Sequence, residues 1–507
     1  MNLSYFDAVT FTLLIITVVG ISLYASRRER DTKDYFLAGR NLTWWLIGFS
    51  LIASNISTEH FVGMAGAGYG TEGLAIASYE WFAAVTLVIV AMFLLPLYLR
   101  LGIYTMPEFL EHRYGSQART LMAIYMMIAY VGVAIAAVLY SGALGLQTIF
   151  GIDLKLGIWL IGVLAGIYTI YGGLKAVVWS DLIQGGALLL GGALVMILGF
   201  KAVGGVEQFL VTNQDKLHTI LPADHPEIPW TALLFGMWIP HFFYWGFNQF
   251  ITQRTLGARS LKHGQNGIIF AAFIKLIIPF IIVFPGIMAF QLFRDQIASG
   301  DQAYAVLITE LLPSGLRGIM FAALFGAVMS SLDSMLNSAS TIFTMDIYKK
   351  YVKTTVSPEK TVLVGRIATG VFVIIGCLLA PLPAQFSGVF KYIQLIWGFI
   401  SPGIVAVFFF GLILRRAPQS AAVAAMLLGV PVYGFFLWKL PDVAFLNHMA
   451  ITFIILTIVI LLITIIKPLP EKFRFKHDSI QLEGSKFAKV GGIIVVLLTI
   501  LLYIYFW

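Results

Sequence analysis

The sequence predicts an all-helical protein that crosses a membrane many times, and three observations carry that reading. Of 507 residues, 59% are hydrophobic and 11% charged, less than half the charge of a soluble chain at roughly 25%. Apolar segments recur from Tyr5 to Trp507, each near the about 20 residues a spanning helix needs. They are continuous, unlike the short alternating strands of a membrane barrel, so each satisfies its own backbone hydrogen bonds as a helix. A peripheral or singly anchored protein is excluded.

Spans are expected at 5–26, 44–69, 74–98, 119–149, 156–172, 178–200, 230–253, 264–292, 316–346, 361–382, 389–414, 420–438, 446–466 and 488–506. The first follows Asp7 and runs on as a full span, so it reads as a helix of the bundle and not as a cleavable signal. With the N-terminus outside, 25 of the 33 lysines and arginines fall on the cytoplasmic side, in the clusters around Arg27, Arg40, Arg113, Arg254, Lys350, Arg415 and Lys472. Six fall outside, and Lys275 and Lys391 lie within or beside spans. Positive charge gathers on the cytoplasmic side of a membrane protein, so the expectation is a multi-pass protein of the cell membrane with both termini outside. The net charge of +8 belongs to this topology and not to nucleic-acid binding.

The connections 201–229, 293–315 and 467–487 are too short for a separate core, so the chemistry must lie among the helices. The second span is interrupted at Ser50-Leu-Ile-Ala-Ser-Asn-Ile-Ser-Thr-Glu-His60 and the seventh at Pro240-His241. Two interrupted helices five spans apart run in opposite directions, which is the sequence signature of an inverted-repeat transporter. The single cysteine, Cys377, excludes an intrachain disulfide or a cysteine metal site, and an apolar stretch around it points to packing.

Ionisable groups inside a membrane are costly and usually face a cavity. Glu59, Glu80, Asp181, Asp333 and Lys275 fall inside spans. In the ninth span, Ser330, Asp333, Ser334 and Asn337 follow the i, i+3, i+4, i+7 spacing and share one polar face. Hard cations take several oxygen ligands, and adjacent serines near a broken segment at Ala53–Ile56 offer hydroxyls and unsatisfied carbonyls. Ser338 and Gly326 read as close-packing positions instead. A second constellation, Tyr244-Trp245 with His60, Glu80, Lys275 and Gln394, combines donors and acceptors with an aromatic surface, as a neutral polyol requires.

On these residues the chain resembles the solute:sodium symporter family, and within it the sodium/sugar cotransporters. The matching segments run in one order over essentially the whole length: Asp34-Tyr-Phe-Leu-Ala-Gly-Arg40, Ser50-Leu-Ile-Ala-Ser-Asn-Ile56, Ile76-Ala-Ser-Tyr-Glu-Trp81, Tyr104-Thr-Met-Pro-Glu-Phe109, Tyr171-Gly-Gly-Leu174, Tyr244-Trp245, Gln253-Arg-Thr255, Ser330-Ser331, Asn337-Ser338, Phe343-Thr-Met-Asp-Ile-Tyr348 and Tyr392-Ile-Gln394. The resemblance implies a LeuT-like core of two inverted five-helix repeats with broken helices, here 44–200 and 230–414. One extra helix at 5–26 precedes it and three at 420–506 follow, fourteen transmembrane helices in a single transmembrane domain.

The resemblance also implies residue roles. A common sodium site falls on the carbonyls of Ala53, Ile56 and Ala327 with the hydroxyls of Ser330 and Ser331. Sugar contacts fall on His60, Glu80, Tyr244, Trp245, Lys275 and Gln394, with Asn55 nearby. Met64, Tyr79 and Phe390 match an outer hydrophobic gate, and Tyr244 the aromatic that closes the sugar from the cytoplasm. His241 stands where bacterial galactose-type sequences have Asn, and Ala83 where they have Ser. A second sodium site in some members corresponds to Asp181, Ser330, position 333 and Ser334. Here 333 is Asp, and a carboxylate there strengthens the site, carries a proton or pairs with a base, with the sequence leaving all three open.

The expected function is sodium-driven symport of a small neutral sugar, with no enzyme activity, no cofactor beyond sodium as coupling ion, and no obligate protein partner. The lipid bilayer, sodium and the sugar are its partners. myo-Inositol or sialic acid as solute, and a facilitative channel or sensor on the same fold, are the alternatives. No Walker A sequence is present for an ATP-driven pump.

Overall fold

The computed structural model describes residues 4–26, 31–57, 60–385, 389–475 and 482–507, except for the side chains at 148–149, 384–385 and 389–392. The described residues are almost entirely helical, and their only β pairing is two isolated bridges, Leu42 with Ala258 and Leu221 with Pro229. Eleven helices among them are long and apolar enough to cross a membrane.

In chain order, α1 is Tyr5–Ser26 and α2 is Trp44–Asn55. Helix α3 occupies 60–69, α4 is Gly73–Leu101 and α5 is the short Met106–Tyr114. Helix α6 is Ser116–Gln147 and α7 is Leu154–Ala202. Helix α8 covers 232–247, α9 is Gln249–Leu256 and α10 is Leu261–Phe293. Then come α11 Leu316–Val352, α12 Pro358–Leu379, α13 Val389–Ile413, α14 Gln419–Lys439, α15 Phe445–Ile466 and α16 Lys486–Tyr505. Three connections carry short helices of their own, Thr32–Leu37, Val206–Thr212 and Ala303–Leu311.

The expected fifth and sixth spans are two helical limbs, labelled together α7, that meet at a break where Gly173 leaves helical geometry at φ 50°, ψ −149°. Only glycine takes this conformation readily, and a Cβ at 173 would lie 2.3 Å from the Tyr35 carbonyl oxygen. The second expected span divides as anticipated: α2 ends at Asn55, Ile56 is extended, and helix resumes at His60. In the seventh the break is displaced. Pro240 lies inside regular turns at 238–242, flanked by wider π-type turns at 232–236 and 243–247. The chain leaves helix at Asn248, with φ −87° and ψ 124°. The wider turns accommodate the amide that proline lacks, so the interruption falls after the aromatic run and not before it.

Polar contacts tie together two opposite ends of the bundle. At one, Asp7 of α1 accepts hydrogen bonds from the backbone N–H of Gly315 (2.6 Å) and Gly318 (3.2 Å), capping α11 from a separate helix. Lys216 donates to the carbonyls of Tyr69 (2.9 Å) and Gly70 (2.5 Å), and the Thr219 amide donates to the Phe506 carbonyl (2.8 Å). At the other end, α5 is a clasp. Arg113 donates to the carbonyls of Gly411 (2.6 Å), Leu414 (2.7 Å) and Ala417 (3.2 Å) at the end of α13. Glu111 accepts from Arg119 and Lys350, and Arg119 also holds Asp346 at 2.6 Å. Burial alone would raise the Glu111 carboxyl, but the Lys350 and Arg119 hydrogen bonds and charges outweigh it and hold it below its usual range.

Candidate functional site

A cavity at the centre of the bundle is walled by both broken helices, together with α4, α10 and α13. Asn55, His60, Glu80, His241, Tyr244, Trp245, Lys275 and Gln394, the eight residues expected to meet solute, all line it, as do Met64 and Tyr79. The side chain of Phe390 lies outside the described residues, and so does Glu59.

These walls form a chain of polar contacts. Lys275 donates to Glu80 Oε2 at 2.5 Å and to Asn55 Oδ1. Asn55 Nδ2 donates to the Tyr244 hydroxyl at 3.0 Å, and His60 Nε2 lies 3.5 Å from Glu80 Oε1. The Lys275 ammonium also sits 5.1 Å from the centre of the Trp245 ring, a cation–π distance. Glu80 and Lys275 are fully buried and cancel each other's charge. Among the described residues the wall therefore presents many hydrogen-bonding atoms with no net charge, and no arginine lines the cavity. His241 stacks on Phe82 and meets the Tyr79 ring edge, and its Nε2 is buried with no partner among the described residues.

The residues of the expected common sodium site lie at the end of α2 (Ala53, Ile56) and on α11 (Ala327, Ser330, Ser331). Within a helix the Ala53 carbonyl would accept from the amide of Ser57, and that of Ile56 from His60. Here the Ser57 amide points at His60 Nδ1 (3.4 Å) and the His60 amide donates to the Ser57 carbonyl (3.1 Å). The break thus turns the usual donors away from both carbonyls, the kind of backbone oxygen that coordinates alkali ions in broken membrane helices. From α11, the Ser331 hydroxyl donates to the Ser54 carbonyl at 3.2 Å, and Ser330 is fully buried beside it.

Behind this junction lies a denser polar cluster. Helix α7 crosses α2 at Gly185, where a Cβ would lie 2.9 Å from Ala53 Cβ. That close approach lets Asp181, one turn earlier, accept from the hydroxyls of Ser50 (2.5 Å), Ser54 (3.1 Å) and Ser330. Asp333 accepts from the Tyr168 hydroxyl at 2.6 Å, with Ser180 and Ser334 at 3.4 and 3.2 Å. Asp181 and Asp333 are both fully buried.

Sequence reading missed one member. Arg254, counted with the cytoplasmic cations, is 1% exposed. Its guanidinium donates to the hydroxyls of Ser50 (2.7 Å), Ser54 (2.6 Å) and Ser334 (2.7 Å), with Asp181 Oδ2 3.6 Å away. The signal was the proximity of Gln253-Arg-Thr255 to a broken helix: α9, short and resumed after Asn248, aims inward from its start.

A model of the sodium:solute symporter family matches residues 35–429. The chain belongs to this family. A sodium/glucose cotransporter of Vibrio parahaemolyticus is 42% identical over 90% of both chains. A sodium/myo-inositol cotransporter 2 of Oryctolagus cuniculus is 36% identical over 84% of this chain and 68% of that one. In fold, the chain matches a Na+-coupled sialic acid symporter in a substrate-bound outward-open state, with a TM-score of 0.84 at 24% identity, covering 93% of this chain and all of that one. This symporter is a multi-pass membrane transporter coupled to sodium, and not an enzyme.

Proposed function

We propose that this symporter imports a small neutral sugar of the galactose or glucose type by alternating access, driven by the sodium gradient. The observation that carries the solute class is the buried Glu80–Lys275 pair on the cavity wall. Its charges cancel, leaving the hydrogen-bonding atoms of Asn55, His60, Tyr244 and Gln394 and the Trp245 ring to meet ring hydroxyls. A carboxylate solute would want an arginine fork, and among the described residues none lines the cavity. The similarity to a sodium/glucose cotransporter supports the same choice. myo-Inositol is the second reading, since related cotransporters named for it match most of this chain.

Sodium at Ala53, Ile56, Ala327, Ser330 and Ser331 ties the end of α2 to α11 and stabilises the state that accepts solute, which is how one ligand favours the other. A second ion belongs with Asp181, Ser330, Asp333 and Ser334. Met64, Tyr79 and Phe390 gate the outer path and Tyr244 the inner one. The architecture is two inverted repeats at 44–200 and 230–414. Fourteen crossings follow if both broken helices and the second limb of α7 each count as a span. The end carrying Arg40, Arg113, Arg119 and Lys350 faces the cytoplasm, leaving both termini outside.

Uptake into proteoliposomes tests the proposal. Galactose or glucose should accumulate under an inward sodium gradient and stop accumulating when choline replaces sodium. In a competition panel of galactose, glucose, myo-inositol, proline and sialic acid, inhibition by the acids alone would refute the neutral-sugar reading.

A further inference from the structure

The outer surface of α12 carries a cation where its neighbours are apolar. Leu363, Ile367, Val371 and Ile374 are exposed, and their spacing of three or four residues puts them on one outward stripe. On the first limb of α7, Val163, Ile167 and Tyr171 form a second such stripe. In a bundle of spanning helices, exposed apolar stripes of this kind face acyl chains. Arg366 follows Leu363 by three residues and immediately precedes Ile367. It is eight residues, about 12 Å along the axis, from Pro358 at the start of the helix. Its side chain is half-buried.

A guanidinium has five N–H donors. Arg113, Arg119 and Arg254 each place at least three hydrogen bonds on carbonyls, carboxylates or hydroxyls. Arg366 makes one, from Nη2 to the Tyr171 carbonyl at 3.1 Å, and its guanidinium carbon sits 5.6 Å from the centre of the Tyr35 ring. Its Nε is buried without a hydrogen-bond partner, and among the described residues the group has no ion pair. A cation within the apolar layer is costly unless an anion or water meets it.

Beside this arginine runs a groove between three helices. Leu23 and Tyr24 come from the last turn of α1, Ile167, Ile170 and Tyr171 from α7, and Arg366 from α12. Its walls are apolar or aromatic, and among the described residues its one charged group is positive. Tyrosines of spanning helices sit at the level of the lipid headgroups. The start of α12 follows the end of α11 that carries Lys350 of the clasp, so the groove lies toward that end of the bundle and in one leaflet. A free anion would gain nothing from the apolar walls, and an uncharged chain would not answer the guanidinium. An anionic amphiphile meets both.

We infer that this groove binds one anionic phospholipid, of which phosphatidylglycerol is the simplest. Its phosphate accepts from Arg366 Nε and a terminal nitrogen as a two-point fork, the geometry in which arginine recognises phosphate. Its acyl chains lie on Leu23, Ile167 and Ile170. A zwitterionic lipid brings the same phosphate already paired with its own cation, and binds more weakly. The site shares no residue with the central cavity, so it stands whichever solute is carried. Tyr171 is two residues from the break at Gly173, and a lipid held there fastens α1 and α12 to α7 beside that break.

Native mass spectrometry of the purified, delipidated full chain in detergent, with phosphatidylglycerol or phosphatidylcholine added, is the test. Wild type should retain one phosphatidylglycerol as detergent is stripped away, and at least about fivefold less phosphatidylcholine. Arg366→Gln should lower the retained phosphatidylglycerol at least about fivefold, and Arg366→Lys, which keeps the charge without the fork, by less. Arg415→Gln removes an exposed cation from the same end of the bundle and should match wild type. Ile167→Trp fills the groove and leaves Arg366 in place. It should also lower retention, and it carries the prediction if Arg366→Gln folds poorly. Wild-type retention in either variant would overturn the assignment, as would equal retention of the two lipids. A loss just as large in Arg415→Gln would overturn it too, because attraction would then be spread over the whole positive end. Inorganic phosphate that raises thermal stability as much as phosphatidylglycerol does, and no longer does so in Arg366→Gln, would replace the lipid by a free anion.

Discussion

Asn55 and Tyr244 hydrogen-bond across 3.0 Å, joining the last turn of one broken helix to the π-type turn of the other. Neither helix continues through the cavity, so this contact bridges the two broken helices along its wall with two side chains. Tyr244→Phe removes one hydroxyl and leaves the Asn55 amide short of a partner, a loss of about 1–3 kcal/mol for a buried group. The expected outcome is a solute KM raised at least fivefold together with faster efflux from loaded proteoliposomes. An unchanged efflux rate would show that Tyr244 is only part of the wall.

Removing one member of the Glu80–Lys275 pair strands the other inside the protein. Lys275→Met or Glu80→Gln should each destabilise the purified protein by about 3–5 kcal/mol, and the double variant should recover much of that stability without recovering uptake. Thermal unfolding of the three proteins against wild type, read as a double-mutant cycle, checks it. Additive losses would mean that the two charges do not depend on each other.

Ser330→Ala and Ser331→Ala remove hydroxyls at the junction of α11 with α2. Each should raise the sodium concentration for half-maximal uptake about tenfold. The solute KM at saturating sodium should stay within about twofold, because binding energy lost by the ion is restored by mass action. A shift in solute KM with sodium dependence intact would place these serines in the solute site.

Acid should loosen the clasp formed by α5. The Glu111 carboxyl is held below its usual value in the folded protein by Lys350 and Arg119. A depressed carboxylate contributes stability above its unfolded pKa, about 4.3, and that contribution disappears as pH falls through the folded value. Between pH 6 and pH 3, wild type should lose more thermal stability than Glu111→Gln, whose side chain does not titrate. Parallel curves would show that the clasp contributes nothing measurable, as exposed ion pairs often do.

Gly173→Ala should impair folding more than any other single methyl added along α7. It forces a side chain into a left-handed backbone and onto the Tyr35 carbonyl, with strain of about 1–3 kcal/mol before the clash is counted. Expression in the membrane fraction, against Gly186→Ala, where the added Cβ meets open space, is the comparison. Equal yields would show that α7 bends without needing glycine.

The helical class and the grouping of His60, Glu80, Tyr244, Trp245, Lys275 and Gln394 are legible in the sequence, because apolar runs and mid-span polar groups are local features, whereas Asn55 and His241 are reached through the family resemblance. Ser330, Asp333 and Ser334 could be placed on one face by helical spacing alone. What escapes is the part that depends on approach between distant segments. Arg254 looks like a loop cation until α9 is seen to start inside the protein. Pro240 looks like the break until wider turns absorb it and Asn248 takes that role. The two limbs of α7 read as separate spans, and Gly173 does break the helix between them, but nothing in Tyr171-Gly-Gly-Leu174 says that helix resumes at once on the far side.

Ser54 and Asn55 are consecutive, yet they answer to different chemistry. Ser54 touches Asp181, Arg254 and Ser334, while Asn55 touches Tyr244 and Lys275. A single peptide unit, about 3.8 Å from one Cα to the next, therefore separates contacts with the Asp181–Arg254 cluster from contacts with Tyr244 and Lys275. Under the proposed symport, cation and cargo are met by neighbouring residues of one helix end, so coupling them needs no relay of side chains across the bundle. Substitutions that let either species slip across alone should then gather at these two positions and their immediate partners, and thin out rapidly along the helices beyond.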